Sequence, residues 1–148
     1  MSRQQTTLLF EVPTPGVCRQ TARSFAKVLE SEIIPGRAFC CLVTNDKELR
    51  RLNREFRNQD YATDVLSFPV AGSGAFLGDI AISLAKAKQQ AAEHGHGVPQ
   101  EVQILMLHGL LHLLGMDHET DGGQMAQAER KWRETLGLPT GLIERVSP

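Results

Sequence analysis

The chain has 148 residues, of which 41% are hydrophobic and 22% are charged, and its formal net charge is −1. This composition is ordinary for a globular protein and excludes a disordered or collagen-like chain. The net charge excludes a protein that binds nucleic acid through its overall charge, so a polyanionic partner would need a local basic patch. We expect residues 1–148 to form a single domain, because this length suits one hydrophobic core.

The first part of the chain predicts alternating strands and helices. Apolar periodicity and the positions of proline and glycine predict, in order, a strand, a helix, a strand and a helix over residues 6–12, 17–34, 37–44 and 45–57. Asn45 and Glu48 have the spacing of a capping box, which marks the start of the second helix.

The second part begins with two strand patterns, VLSFPV (65–70) and LGDIAIS (77–83), joined by the glycine-rich AGSGA. This loop lacks the Gly-Lys-Ser/Thr of a phosphate-binding loop and is followed by a strand, so a plain turn is favoured. Helical patterns follow over residues 84–94, 99–114 and 123–136. The chain is therefore predicted to be an α/β (α+β) domain with a sheet of about four strands and about five helices.

Neither the N-terminal residues nor the cysteines indicate export. The segment MSRQQTTLLFEVPTPG does not join a basic region to an apolar run and a small-residue cleavage site. Cys18, Cys40 and Cys41 are odd in number and lack C-x-x-C spacing, which favours free thiols in a reducing compartment. The apolar stretch 104–114 is shorter than the ~20 residues needed to span a bilayer. We expect a cytoplasmic protein without a membrane anchor.

The motif HGLLHLLGMDH, residues 108–118, has the spacing of a metal site. His108 and His112 are four residues apart on a predicted helix, so both imidazoles can reach one ion. Gly115 can end that helix in a left-handed conformation, which lets His118 return to the same ion. This spacing matches the metzincin signature H-E-x-x-H-x-x-G-x-x-H. Three neutral imidazoles plus one water are typical of a catalytic zinc ion, although copper, nickel and iron also accept imidazole.

Gly109 occupies the position where the metalloprotease signature has its glutamate, the general base of those enzymes. Peptide hydrolysis by that route is disfavoured. Glycine inside a helix costs about 1 kcal/mol relative to alanine, which indicates that another helix or a substrate approaches closely. Four carboxylates are candidate acceptors for the ring N–H groups of the ligands, with solvated loop carboxylates as an equally good interpretation: Asp79, Asp117, Glu119 and Asp121.

The predicted helix ELRRLNREFR places Arg50, Arg54 and Arg57 together on one side. From periodicity alone, an ordinary solvated face is the simpler interpretation. The planar guanidinium group nevertheless binds phosphate with two hydrogen bonds, so these arginines are candidate RNA or phosphate ligands if a metal lies nearby. Ser67 has no histidine base near it in sequence, and no nucleophile is predicted there.

Three segments in this order, LNREFRNQDYATDVLSFP, LGDIAIS and HGLLHLLGMDH, resemble the YbeY family of bacterial endoribonucleases and ribosomal RNA maturation factors. The resemblance is strongest over residues 38–138, and Met125 and Glu129 also fit the last helix of the family. It implies a single zincin-like domain with a mixed sheet, one zinc ion, and metal-dependent cleavage of single-stranded RNA. The implied partners are ribosomal RNA and the ribosome or its small-subunit precursor, in maturation of the small-subunit RNA 3′ end and in ribosome quality control.

The resemblance also assigns residues. It places the zinc ligands at His108, His112 and His118 and the functionally important arginine at Arg57, so that Arg57 and His112 are the candidate catalytic residues. Met116 stands where many members carry tyrosine. Two other functions remain open: a non-catalytic, zinc-stabilised ribosome assembly factor, which the absent glutamate motivates, and a metal-dependent hydrolase of peptides or amides.

Overall fold

A computed structural model describes residues 5–72, 74–139 and 141–146. Its elements, in chain order, are β1 (Thr7–Phe10), α1 (Gly16–Glu32), β2 (Ala38–Thr44), α2 (Asp46–Arg57), β3 (Val65–Pro69), β4 (Phe76–Ser83), α3 (Leu84–His94), α4 (Val98–Leu113), α5 (Gln124–Leu136) and α6 (Leu142–Val146). The predicted strands and the five predicted helices are all present, with ends that differ by no more than two residues. The short helix α6 was not predicted.

The four strands form one mixed sheet in the order β1-β2-β4-β3. Strand β2 is parallel to both β1 and β4, whereas β3 is antiparallel to β4. This pattern follows from the connections, because the short β3–β4 loop joins antiparallel neighbours and the segments that contain α1 or α2 allow parallel pairing. The prediction of a mixed four-stranded α+β fold is confirmed.

The main core lies between one face of the sheet and helix α4. Ile80 and Ile82 of β4 point toward this side and are buried together with side chains from α1, α3, α4 and α5. Leu105 and Leu110 of α4 are fully buried. A helix that is apolar nearly all round belongs inside a core, and α4 is therefore held rigidly on several sides.

Among the described elements, α2 is the helix that packs on the opposite face of the sheet. Its core is the small cluster of Leu49, Leu66 and Ala81. The start of α2 is fixed as predicted, because the Asn45 side chain accepts a hydrogen bond from the Glu48 N–H at 2.8 Å. Since α2 covers only part of this face, an open apolar groove of about 790 Å³ remains beside it.

The cysteines within the described ranges are free thiols, as predicted. Cys41 is buried in the main core and its neighbour Cys40 is half-buried, because adjacent strand residues point to opposite faces. Among residues 5–72, 74–139 and 141–146, no helix combines the length and apolar character that crossing a bilayer requires.

Candidate metal centre

The three histidines of the motif meet at the C-terminal end of α4. His108 and His112 lie one turn apart with ring centroids 4.8 Å apart, and the His118 ring is 5.7 and 5.9 Å from them. One ring nitrogen from each histidine lies within 4.8 Å of the others, so the three could hold a metal ion. The metal-binding cluster predicted from the spacing is therefore present in the fold.

The loop that returns His118 is built by the end of α4. Gly115 has a φ of +92°, as expected for a glycine that ends a helix. Its N–H donates to the His112 carbonyl at 2.9 Å, and the N–H of Met116 donates to the Leu111 carbonyl at 3.2 Å. These two bonds form a Schellman motif, which reverses the chain and directs His118 toward the helix it has just left.

A buried carboxylate orients His108. Glu129 on α5 is 1% exposed, and its Oε2 lies 2.8 Å from His108 Nδ1. A carboxylate oxygen accepts hydrogen bonds, so this contact favours the Nδ1–H tautomer of His108, which leaves the lone pair of Nε2 for a metal ion. The sequence analysis did not predict this contact. The available signal was that Met125 and Glu129, four residues apart, both fit the last helix of the family, and in the structure both are buried.

The other two histidines, His112 and His118, are also suited to binding a metal ion. Burial, followed by the positive charge that His108 can carry, lowers the pKa of His112, whereas a hydrogen bond to the Met116 backbone and the charge of Asp117 oppose the shift. The net effect favours the neutral imidazole that metals bind. His118 Nδ1 is buried and has no hydrogen-bond partner among the described residues. Three imidazole donors fit a borderline metal ion such as zinc.

Arg57 lies in the same groove as the histidines. The groove has a volume of about 430 Å³, and Arg57, His108, His112 and His118 all line it. Arg57 is the last residue of α2, whose end is set by Asn58 with a left-handed φ of 57°. Within the described part of the chain, the Arg57 guanidinium makes no ion pair.

The other two predicted phosphate ligands lie elsewhere. Arg50 Nε donates to Asp60 Oδ1 at 2.8 Å, and Arg54 Nη1 is 3.7 Å from the same oxygen. Both arginines line a separate groove at the exposed side of α2. Arg50 and Arg54 therefore line a different groove from the histidines, and a role for them toward RNA or phosphate remains a prediction.

The prediction for Asp79 as an acceptor for a ligand N–H is also wrong. Asp79 alternates with Ile80 along β4, so it lies on the face of the sheet opposite the histidines. Burial first, and then the neighbouring Asp79 carboxylate, raise the pKa of the Cys40 thiol. The role that the sequence analysis considered for Asp79 is filled instead by Glu129.

The loop carboxylates after α4 have mainly local partners. Asp117 lines the rim of the histidine groove, is exposed, and accepts a hydrogen bond from the Glu119 N–H at 3.0 Å. Asp121 accepts from the N–H groups of Gly123 and Met125, and these bonds, Met125 first, lower its pKa. A role for Asp117 toward a ligand remains a prediction.

The close approach predicted at Gly109 is made by side chains of the sheet, and not by another helix or a substrate. A Cβ atom at this position would lie 2.8 Å from Cγ2 of Ile80 and 3.2 Å from Oγ of Ser67. Ser67 Oγ–H also donates to the Gly109 carbonyl at 2.8 Å, which ties β3 to α4. Ser67 is therefore a packing and hydrogen-bonding residue, in agreement with the absence of a predicted nucleophile. A glutamate side chain has no room here.

The comparisons with known proteins agree on one family. A family model described as Endoribonuclease YbeY matches residues 13–137. A protein named Endoribonuclease YbeY from Solibacter usitatus (strain Ellin6076) is 60% identical over 133 residues, which cover 89% of this chain and 89% of that protein. A protein of the same name from Nautilia profundicola is 53% identical over 105 residues, which cover 70% of this chain and 76% of that protein.

A solved structure shares the fold. The solution structure of TM1509 from Thermotoga maritima superposes with a TM-score of 0.62 at 24% sequence identity, and the match covers 90% of each chain. At this identity the likeness supports the fold, whereas the family assignment depends on the sequence matches.

Proposed function

Because the chain belongs to the YbeY endoribonuclease family, we propose that it is a zinc-dependent endoribonuclease that cleaves single-stranded RNA. Its substrate in this proposal is ribosomal RNA at the 3′ end of the small-subunit species, with the ribosome or a small-subunit precursor as partner, a role in ribosome quality control and a cytoplasmic location. The observation that carries the proposal is that Arg57 lines the same groove as His108, His112 and His118.

The residues of the groove have separate tasks. His108, through Nε2, together with His112 and His118 would hold one zinc ion, with water as the fourth ligand. When bound, such an ion supplies Lewis-acid polarisation of a phosphate oxygen. The Arg57 guanidinium would bind the same phosphate and stabilise the negative charge that develops during cleavage.

Preference for single strands follows from the position of Arg57 at the end of a helix that borders the groove. A flexible strand can bend so that one phosphate reaches both Arg57 and the histidines. An A-form duplex is stiff and keeps its phosphates on a regular cylinder, so it cannot bring one phosphate into the groove as readily.

The packing of Gly109 favours RNA cleavage over the two alternatives. The absent glutamate motivated both an assembly factor without activity and doubt about peptide hydrolysis. Because Ile80 and Ser67 fill the space beside Gly109, the glycine is required by contact with the sheet. Its presence is therefore no sign of lost catalysis, and a protease-type base at this position is sterically excluded.

The test combines metal analysis with RNA cleavage. We expect purified protein to contain close to one zinc ion per chain and to cut a labelled single strand faster than the same sequence in a duplex. His112→Ala should lose both the metal and the cleavage, whereas the control Gln89→Ala, at an exposed position on α3, should keep both. Cleavage that persists after chelation of the metal would contradict the proposal.

The assembly-factor alternative predicts a different result in the same experiment. The wild-type protein would bind zinc and ribosomal particles, and His112→Ala would weaken that association, yet no preparation free of contaminating nuclease would cut RNA. A fluorogenic peptide assay covers the remaining alternative, because a signal that disappears with His108→Ala would indicate peptide hydrolysis.

A further inference from the structure

One buried carboxylate connects a metal ligand to the α6 segment, which we define as residues 141–146. Oε2 of Glu129 accepts a hydrogen bond from His108 Nδ1 at 2.8 Å, and Oε1 accepts one from the N–H of Ile143, also at 2.8 Å. Gly141 passes so close that a Cβ atom there would lie 2.6 Å from Oε1. Glu129 therefore contacts the ligand and the α6 segment at the same time.

A second buried carboxylate holds the other end of the segment. Glu101 on α4 is fully buried, and its two oxygens accept hydrogen bonds from Arg145 at 2.8 and 2.9 Å. His96 Nε2 lies 2.6 Å from Glu101 Oε1. Burial acts to raise the pKa of Glu101, but the bonds from Arg145 and His96 outweigh it and lower the pKa. Glu101 is therefore ionised at neutral pH, and the pair is a buried, charge-assisted one.

The α6 segment forms a wall of the metal centre. Leu142 lines the groove that contains the three histidines. Leu142, Ile143 and Arg145 also line the adjoining groove, of about 430 Å³, to which His108 and His118 contribute. The segment is thus placed where its docking can influence the ligands directly.

We propose that Glu129 is a positioning residue that couples the docking of the α6 segment to the orientation of His108, and that the Glu101–Arg145 pair keeps the segment docked. This inference rests on the proposed metal site. In the docked state, Glu129 is shared between two donors and cannot rotate without breaking one bond. The ring of His108 is thereby held with its proton on Nδ1 and its Nε2 lone pair available.

Coupling of this kind is reciprocal. If docking of the segment raises metal affinity by some factor, metal binding must favour docking by the same factor. The wild-type protein alone can test this. We expect hydrogen exchange of the Ile143 amide to slow when Zn²⁺ is added to the metal-free protein, in proportion to the strength of the coupling. An exchange rate at Ile143 that does not change on metal binding overturns the proposal.

The variant Glu129→Gln tests the two hydrogen bonds of Glu129, one with His108 and one with the Ile143 N–H, against each other. The glutamine amide has one acceptor oxygen, so it can accept either from Ile143 or from His108. If the oxygen remains on Ile143, the NH₂ group faces Nδ1 and forces the proton of His108 onto Nε2. We expect affinity for Co²⁺, measured by competition with a chromophoric chelator, to fall about 10- to 100-fold. The ¹⁵N shifts of the His108 ring should report the change of tautomer, which a merely structural role would leave unaltered.

Arg145→Met tests the second anchor without touching Glu129. It keeps the length of the side chain and removes the charge, so the segment should undock, the Ile143 amide should exchange faster, and Co²⁺ affinity should fall by about 10-fold. The controls are Glu134→Gln, an exposed glutamate on the same helix as Glu129, and Arg51→Met, an exposed paired arginine on α2. Both controls should keep the wild-type affinity.

The outcomes distinguish this inference from the proposed function. If the wild-type protein binds Co²⁺ and both Glu129→Gln and Arg145→Met bind it equally well, the coupling is overturned and the metal site stands. If the wild-type protein itself binds no metal ion, the proposed function fails and the coupling fails with it. Weaker metal binding in both variants with unchanged controls supports the coupling.

Discussion

The two faces of the sheet differ in how far their ion pairs are buried. On the α4 face, Glu101 and Arg145 form an ion pair whose side chains are 0% and 8% exposed. On the α2 face, Arg50 and Asp60 form an ion pair of similar geometry whose side chains are more than half exposed. Solvent screens the second pair and not the first, so only the first is expected to fix the position of a segment. Burial, more than residue type, decides which charges shape the site.

The largest expected effect comes from breaking the buried pair. Arg145→Met leaves Glu101 ionised and buried without its main partner, which should lower the free energy of unfolding by about 3–5 kcal/mol. Arg50→Met on the other face should cause no measurable change, because both of its charges are hydrated. Urea denaturation of the two variants and the wild type measures the contrast. Equal losses for the two variants would remove the distinction between the faces.

The pH dependence of the same pair has a defined sign. The pKa of Glu101 is lowered in the folded state, so the unfolded chain binds a proton there first as the pH falls. The stabilisation is therefore complete above the ordinary glutamate pKa and is lost as the pH falls through the lowered folded value. The difference in unfolding free energy between the wild type and Arg145→Met should be constant near neutral pH and should shrink in acid.

The next effect concerns catalysis and the two arginines in the last turn of α2. Arg57→Ala should reduce the rate of single-strand cleavage by about 10²- to 10³-fold, because it removes a positioned charge from the groove of the histidines. Arg54→Ala, three residues earlier in a different groove, should leave the rate close to wild type. Single-turnover cleavage assays compare them. A similar large loss for Arg54→Ala would indicate that the arginines of α2 act on the RNA as one continuous basic patch.

A smaller effect is expected where the sheet meets α4. Gly109→Ala places a Cβ atom 2.8 Å from Ile80 Cγ2, and this overpacking should exceed the gain in helix propensity and leave a net loss of about 1–2 kcal/mol. Gly74→Ala, in a loop with open space around it, is the control. Thermal denaturation measures both. A Gly109→Ala protein that is more stable than the wild type would contradict the packing explanation.

The smallest effect concerns Asp79. Asp79→Asn should leave metal affinity unchanged, because Asp79 lies on the α2 face. It should lower the pKa of the Cys40 thiol only in part, since burial is the larger cause of the increase and remains. The thiolate fraction at a given pH near 8 then rises, and reaction with a disulfide reagent should become modestly faster. A loss of metal affinity in this variant would indicate that Asp79 acts on the metal ligands after all.

The elements that the sequence predicted well are those with strong local signals. The apolar run of α4 with Pro99 at its start, the Asn45 cap and the glycine at position 115 are each local signals, so the chain itself reveals them. The histidine spacing is local in the same sense, because one helix and its terminating turn bring the three rings together. Helix α6 has only five residues, and buried contacts with Glu101 and Glu129 hold it in place, so no local pattern could reveal it.

The carboxylate partners could not be predicted because they depend on long-range register. Asp79 and Glu129 are both acidic residues near apolar ones in the sequence. The sequence alone does not show on which face of the sheet each of them lies. The pairing of β4 with β2 and β3 directs Asp79 away from the histidines, whereas the packing of α5 on α4 brings Glu129 to His108. Similarly, the packing of α2 on the sheet brings Arg57 to the histidine groove, and the spacing of the arginines along the helix does not reveal this.

The strand order β1-β2-β4-β3 has a consequence for how the chain folds. The β3–β4 hairpin joins neighbours across a short loop, so its formation costs little chain entropy. The parallel pairing of β2 with β4 closes a longer loop of chain, which contains α2 and β3. This pairing is slower to form, because the longer segment loses conformational entropy before the strands make their contacts. We therefore expect the hairpin to act as an early template and the central parallel pairing to limit the folding rate. Destabilising substitutions in the loop that follows β3 should then slow folding and leave the unfolding rate nearly unchanged.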